Sequence, residues 1–202
     1  MPINNNYTIL FIHIPKCAGT SIEKFFDMQK LELLYLAKDI YKINNIAFSP
    51  QHLRGKDLKE KYAKDIFDDY FKFSFVRNPY DRLVSEYFYQ TKITTINKPH
   101  FKNWFFNYFK KIDTDHKLTQ TEFLYIDGVL ITDFIGKVEN FNDDFNKLLN
   151  ILDIKSNKSI THDRVKSNRQ NIKTFDLLDK DDIIKINKIW YDDFINFDYK
   201  ML

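Results

Sequence analysis

Lys16 stands in a turn of small residues, Cys17-Ala18-Gly19, followed by two hydroxyls, Thr20 and Ser21. An apolar run, Ile9 to Ile14, precedes it through Pro15, and Ile22, Phe25 and Phe26 follow at helical spacing. The pattern predicts a strand, a tight loop and a helix. Backbone N–H groups at a helix start carry roughly +0.5 of an elementary charge, and a lysine and hydroxyls add donors. Such a loop suits an anion, with phosphate or sulfate the obvious choices. A second group has the same logic. Phe71–Val76 alternates as a buried strand does and runs into Arg77-Asn78-Pro79, with Ser85 about two helical turns further on. Asn78 can cap a helix that starts at Pro79. Arg77 then lies at the carboxyl end of a strand, where open α/β sheets bind ligands. An arginine fork and a hydroxyl on one helix face can grip a phosphate. Each residue also has an ordinary reading: a solvated Lys16, an Arg77–Asp81 ion pair, a solvated Ser85 hydroxyl.

The loop is no Walker A, which needs glycine on both sides and a lysine after the second. Here Gly19 is the only glycine and Lys16 precedes it. No apolar strand ending in a magnesium-binding Asp stands out. The pattern disfavours a phosphate-splitting enzyme while keeping its strand–loop–helix arrangement.

The elements that must position these residues read as alternating strands and helices. Strands are predicted at Tyr7–His13, Asn45–Ser49, Phe71–Val76 and Ile131–Val138. Helical patterns fall at Thr20–Met28, Lys56–Ala63, Pro79–Gln90 and Phe101–Lys110, then over Phe141–Leu152 and Asp181–Phe194. This order predicts an α/β fold with a parallel sheet covered on both faces. At 202 residues, one domain over 1–202 is the simplest reading, large enough to bury about 70% of its unfolded surface. The net charge of +3 gives no case for nucleic acid, and basic residues form no long run. One cysteine, Cys17, excludes an internal disulfide. It is read as a small residue tolerated in a tight loop, with a reactive thiol as the alternative. The N-terminal residues show neither signal peptide nor membrane anchor, which predicts a cytoplasmic enzyme.

Two anion-binding turns in one chain resemble sulfotransferases that use 3′-phosphoadenosine 5′-phosphosulfate (PAPS). His13-Ile-Pro-Lys-Cys-Ala-Gly-Thr-Ser21 is similar to their 5′-phosphosulfate loop, and Phe75-Val-Arg-Asn-Pro-Tyr-Asp-Arg-Leu-Val-Ser85 to their 3′-phosphate motif. Gln51-His-Leu, Phe134-Ile-Gly-Lys-Val-Glu-Asn-Phe141 and Tyr191-Asp-Asp-Phe-Ile-Asn-Phe-Asp-Tyr199 are weaker matches. The subgroup it most resembles is the carbohydrate sulfotransferases of the chondroitin, dermatan and heparan type, whose Golgi members carry a membrane anchor that is not expected here. The resemblance implies a P-loop-NTPase-like three-layer fold, PAPS as donor with PAP as product, and a small-molecule or glycan acceptor. It implies donor contacts from Lys16, Cys17, Ala18, Gly19, Thr20, Ser21, Arg77 and Ser85. The polar loop Thr161–Arg169 would add Ser167 or Arg169, or else is a solvated loop. By analogy with phosphoryl transfer, positioning and electrostatics carry the catalysis. Lys16 would neutralise charge growing on the bridging oxygen, and Gly19 would let the backbone approach the phosphate. No metal is implied: the Asp and His spacings show no ligand cluster.

The base is expected at His52, which follows a predicted strand and precedes a helix, and so shares a rim with Lys16. An ordinary imidazole pKa of about 6.5 suits it. A surface histidine is the alternative. His13 is expected to be buried and hydrogen-bonded; His100, His116 and His162 make no comparable case. Trp104 or Tyr108 could stack on a sugar, but aromatics at helical spacing are more often core. Two rival functions remain open: a P-loop-like kinase of a small molecule or nucleotide, and a non-catalytic nucleotide-binding domain.

Overall fold

The computed structural model describes residues 3–28, 42–43, 46–49, 51–92, 97–110, 114–156, 160 and 173–202. The elements are β1 (Ile3–Asn4), β2 (Ile9–Phe11), α1 (Gly19–Phe25), β3 (Lys42–Ile43), β4 (Ile46–Ala47), α2 (Gly55–Asp57), α3 (Lys64–Phe67) and β5 (Phe71–Val76). There follow α4 (Pro79–Thr91), α5 (Lys98–Tyr108), α6 (Gln120–Leu124), β6 (Tyr125–Ile126), β7 (Val129–Leu130), β8 (Phe134–Lys137), α7 (Phe141–Ile151), α8 (Lys180–Ile189) and α9 (Tyr191–Asn196).

Among the described residues the main sheet runs β1-β2-β5-β8. β2 pairs β5 and β5 pairs β8 in parallel, while β1 lies antiparallel on the outer edge of β2. Side chains alternate across this sheet as period two requires. Ile9, Phe11, Phe73 and Phe75 pack with Ile22 of α1 and Phe141, Phe145 and Leu148 of α7. Leu10, Ile12 and Val76 face the opposite layer with Leu53, Leu58 and Phe123. Burial on both faces is what a parallel sheet with helical crossovers demands. The architecture is thus α/β, a mainly parallel sheet flanked by helices. A third apolar cluster ties α4, α5, α8 and α9 together around Tyr87, Phe101, Ile186 and Trp190.

Three expectations need correction. Asn45–Ser49 does not join the main sheet: Ile46–Ala47 forms a hairpin with β3 and a single bridge from Ala47 to Thr114. The antiparallel β1 already occupies the free edge of β2. The helix predicted at Lys56–Ala63 is a short turn of α2 running into a π-type turn, Leu58–Tyr62. The helix predicted from Asp181 to Phe194 breaks at Trp190 (φ −113°, ψ 34°), whose indole donates to the Lys117 carbonyl at 3.3 Å. That break turns Asp193 inward, fully buried. The hairpin β6–β7 turns on Asp127-Gly128, both at positive φ. Asp-Gly favours that turn.

Candidate active site

The first loop leaves β2 and enters α1 through two left-handed residues, Lys16 (φ 69°) and Ala18 (φ 62°). Neither is glycine, and such conformations cost about 1 kcal/mol or more and persist where surrounding structure imposes them. Three contacts impose them here. The Cys17 N–H donates to the Ile14 carbonyl at 3.3 Å. The Arg82 guanidinium, 1% exposed, donates to the Pro15 carbonyl at 3.2 Å. Arg77 Nη1 donates to the Lys16 carbonyl at 3.4 Å. The second motif therefore holds the first by its own arginines. Ala18 caps α1 without a side-chain hydrogen bond.

The residues of this loop pack closely against their neighbours. The Cys17 thiol points into the core, 3.3 Å from Gln120 Oε1, and burial pushes it up to about 12. It is a packed small residue and no reactive thiol. The backbone approach that Gly19 allows is to His13: a Cβ built there would lie 2.0 Å from the His13 ring nitrogen Nε2. His13 is buried, its Nδ1 2.6 Å from Glu23 Oε1, as its place beside the loop led us to expect. Thr20 is exposed and Ser21 half-buried at the start of α1.

The second turn is built by Asn78, whose side chain accepts the Tyr80 N–H at 3.0 Å, with Pro79 opening α4. Buried Gln120 clamps Arg77 from both sides, accepting its N–H at 2.8 Å and donating to its carbonyl at 2.8 Å. Glu139 accepts the Asn78 N–H at 2.7 Å and the Tyr199 hydroxyl at 2.9 Å. Two distant segments, the Glu-Asn strand end and the closing tyrosine, thus converge on this turn. Burial and Glu139 push the Tyr199 phenol far up. Asp81 accepts from Thr174 Oγ1, so its carboxylate is engaged away from Arg77. Ser85 lies half-buried one turn beyond Asp81 on α4. Ser167 and Arg169, like His162, lie outside the described residues.

The Lys16 ammonium lies 3.9 Å from the Tyr89 ring centroid. Tyr89 stacks on His116 at 5.8 Å, His116 meets His52 edge-on at 5.2 Å, and His52 meets His13 at 4.5 Å. A continuous row of rings therefore links Lys16 to His52. Each imidazole in it is anchored through Nδ1: His13 on Glu23, His52 on Asp115 Oδ2 at 2.9 Å, His116 on Glu86 Oε2 at 2.8 Å. With Nδ1 engaged, His52 keeps its lone pair on Nε2. His52 is only 6% exposed, and burial, with His13 nearby, pushes it down to about 4 against the restraint of Asp115. Burial raises the Asp115 and Glu86 carboxyls, but their histidine hydrogen bonds outweigh it and leave both below the ordinary range.

Sequence reasoning missed Arg82, Asp115, His116, Gln120 and Asp193. His116 was set aside, yet it stands beside the expected base. Asp193 accepts the Gln120 and Thr121 N–H groups at 2.9 and 2.8 Å and lies 3.9 Å from Arg82. The only local signals were the adjacent Asp115-His116 pair and the Thr119…Glu122 capping box. Contrary to the reading of the spacings, the fold does gather a group with metal-ligating atoms: those of His52, Asp115 and His116 lie within 4.8 Å of one another. Trp104 stacks on buried Tyr108 at 4.5 Å and donates to Gln90, which supports the core reading for that aromatic cluster.

The mainly parallel sheet flanked by helices, with the Lys16 and Arg77 turns tied together at its carboxyl ends, is consistent with the P-loop-like fold of sulfotransferases. The chain belongs to the sulfotransferase family, whose model matches residues 1–200, and it is a sulfotransferase. No curated protein and no solved structure matches it. No helix among the described residues is long and apolar enough to cross a membrane.

Proposed function

We propose that this sulfotransferase moves the sulfuryl group of PAPS to a hydroxyl of a carbohydrate acceptor, by in-line transfer. PAPS would supply an activated sulfuryl group on a phosphate leaving group. The observation that carries the reading is the junction of the two turns, Arg77 Nη1 on the Lys16 carbonyl. It sets a fixed arginine fork beside the lysine loop, which suits a nucleotide with anionic groups at two positions. Arg77 and Ser85 would grip the 3′-phosphate, with Ser167 or Arg169 added from the loop. The backbone of Lys16 to Gly19 and the hydroxyls of Thr20 and Ser21 would hold the 5′ end. Lys16, swinging off the Tyr89 ring, would neutralise the departing bridging oxygen. The new bond joins the acceptor oxygen to sulfur while the bond from sulfur to the bridging oxygen breaks. The acceptor proton passes to His52 Nε2. Tyr89, 42% exposed beside Lys16, would face the sugar where Trp104 and Tyr108 do not.

A second reading places the base at His116, favoured by its more exposed side chain (16%) and its stacking on Tyr89. Transfer from labelled PAPS to a panel of glycans and hydroxylated metabolites tests the function. Arg77→Ala should raise the KM for PAPS with modest change in kcat, because Arg77 would bind ground and transition states alike. A magnesium requirement together with transfer from ATP would favour a kinase instead.

A further inference from the structure

We propose that His52, Asp115 and His116 form an inhibitory binding site for a borderline-soft divalent cation, Zn2+ in particular. The three residues come from two segments, His52 from the approach to α2 and the adjacent Asp115 and His116 from the turn before α6, and only the fold joins them. His52 Nδ1 lies 2.9 Å from Asp115 Oδ2, and His116 Nε2 lies 3.9 Å from Asp115 Oδ1. Ligands about 2.0–2.1 Å from a zinc ion stand roughly 3 Å apart, and one ligand atom from each of the three residues already lies within 4.8 Å of the others, so a modest inward shift of the side chains would close them around one ion. Two imidazoles and one carboxylate suit zinc rather than magnesium or calcium.

The surroundings match what holds metal ligands elsewhere. His116 gives Nδ1 to Glu86 at 2.8 Å, which leaves Nε2 directed as a ligand atom. Asp115 Oδ2 accepts the Ser49 N–H at 2.7 Å. Carboxylates and backbone donors of this kind commonly orient metal-binding side chains. His52 and Asp115 are buried and His116 is half-buried; a zinc ion held by three protein ligands ordinarily takes water as its fourth.

Binding also inverts the His52 tautomer. The proton that Nδ1 shares with Asp115 gives way to the ion, and a neutral ring must then carry its proton on Nε2. The lone pair that would accept the acceptor proton is gone, and no net charge is lost from the ring. Inhibition rests on the proposed sulfuryl transfer; the binding site does not.

The test adds Co2+ and then Zn2+ to the full metal-free chain. Expected are one Co2+ per chain with visible bands of tetrahedral form, displacement by Zn2+, and indifference to Mg2+. His116→Gln, whose amide can still donate to Glu86, should weaken uptake by at least ~10-fold with an unchanged melting temperature in chelator. Zn2+ should inhibit the wild-type reaction over the range in which it displaces Co2+. Absence of stoichiometric uptake, or equal uptake by His116→Gln, would overturn the site. Uptake with full activity retained would overturn the inhibition. Because the Co2+ spectrum needs no turnover, a failure of the sulfuryl-transfer reading leaves this result legible.

Discussion

Lys16 rests on the Tyr89 ring, and Glu86 feels its charge from one turn earlier on α4. In the proposed transfer its work would fall at the transition state, when charge appears on the bridging oxygen. Lys16→Ala should therefore lower kcat by about 10²–10³ at saturating PAPS, measured by initial rates. His52→Ala should cost about 10²–10⁴ in kcat while PAP binding is kept, since His52 would face the acceptor. As the proposed base His52 would act as neutral imidazole, and burial pushes its pKa down to about 4. Activity should then persist from pH 7 to about pH 5 and fall as pH drops through about 4, well below an ordinary histidine limb. An acidic limb that survives unchanged in His52→Ala would move the base to His116. The same depression bears on stability. Between the unfolded pKa of about 6.5 and the folded value, the unfolded chain binds the extra proton. Folding stability is full above that window and declines as pH falls through it. His52→Asn should flatten this decline in denaturant titrations.

At the scale of elements, the loop and α4 are held by groups that touch no substrate. Gly19→Ala would drive a Cβ into the His13 ring. Displacing a buried, hydrogen-bonded ring should cost on the order of 1–3 kcal/mol in urea unfolding. Gln120→Ala leaves the Arg77 N–H and carbonyl without their partner. A loss of about 1–3 kcal/mol is expected, with weaker PAP binding measured by calorimetry. These elements differ in how plainly sequence announces them. Pro79–Thr91 and Phe71–Val76 were readable because Asn78-Pro79 caps one and alternation marks the other. Ile46–Ala47 was misplaced because two apolar residues fit any sheet edge, and the competing β1 is too short to signal itself. Lys16 and Arg77 stood out through motif spacing. Asp115, Gln120 and Asp193 could not, since their contacts span 63, 43 and 73 residues.

Over the whole molecule, the Lys16 and Arg77 turns both hang on one sheet and on one buried pair. Arg82 reaches the Pro15, His116 and Leu118 carbonyls and lies against Trp190, with Asp193 beside it. The Lys16 loop, the histidine row and the C-terminal helices thereby share one fixed point. A nucleotide bound across the turns should stabilise the entire fold by mass action. The most direct measurement is a thermal unfolding series with PAP and ATP at equal concentrations, repeated on Arg77→Ala. PAP should raise the melting temperature of the wild type clearly more than ATP, because only PAP presents a 3′-phosphate, and Arg77→Ala should erase that difference. Equal stabilisation by the two nucleotides, or a PAP preference that Arg77→Ala leaves intact, would contradict the account.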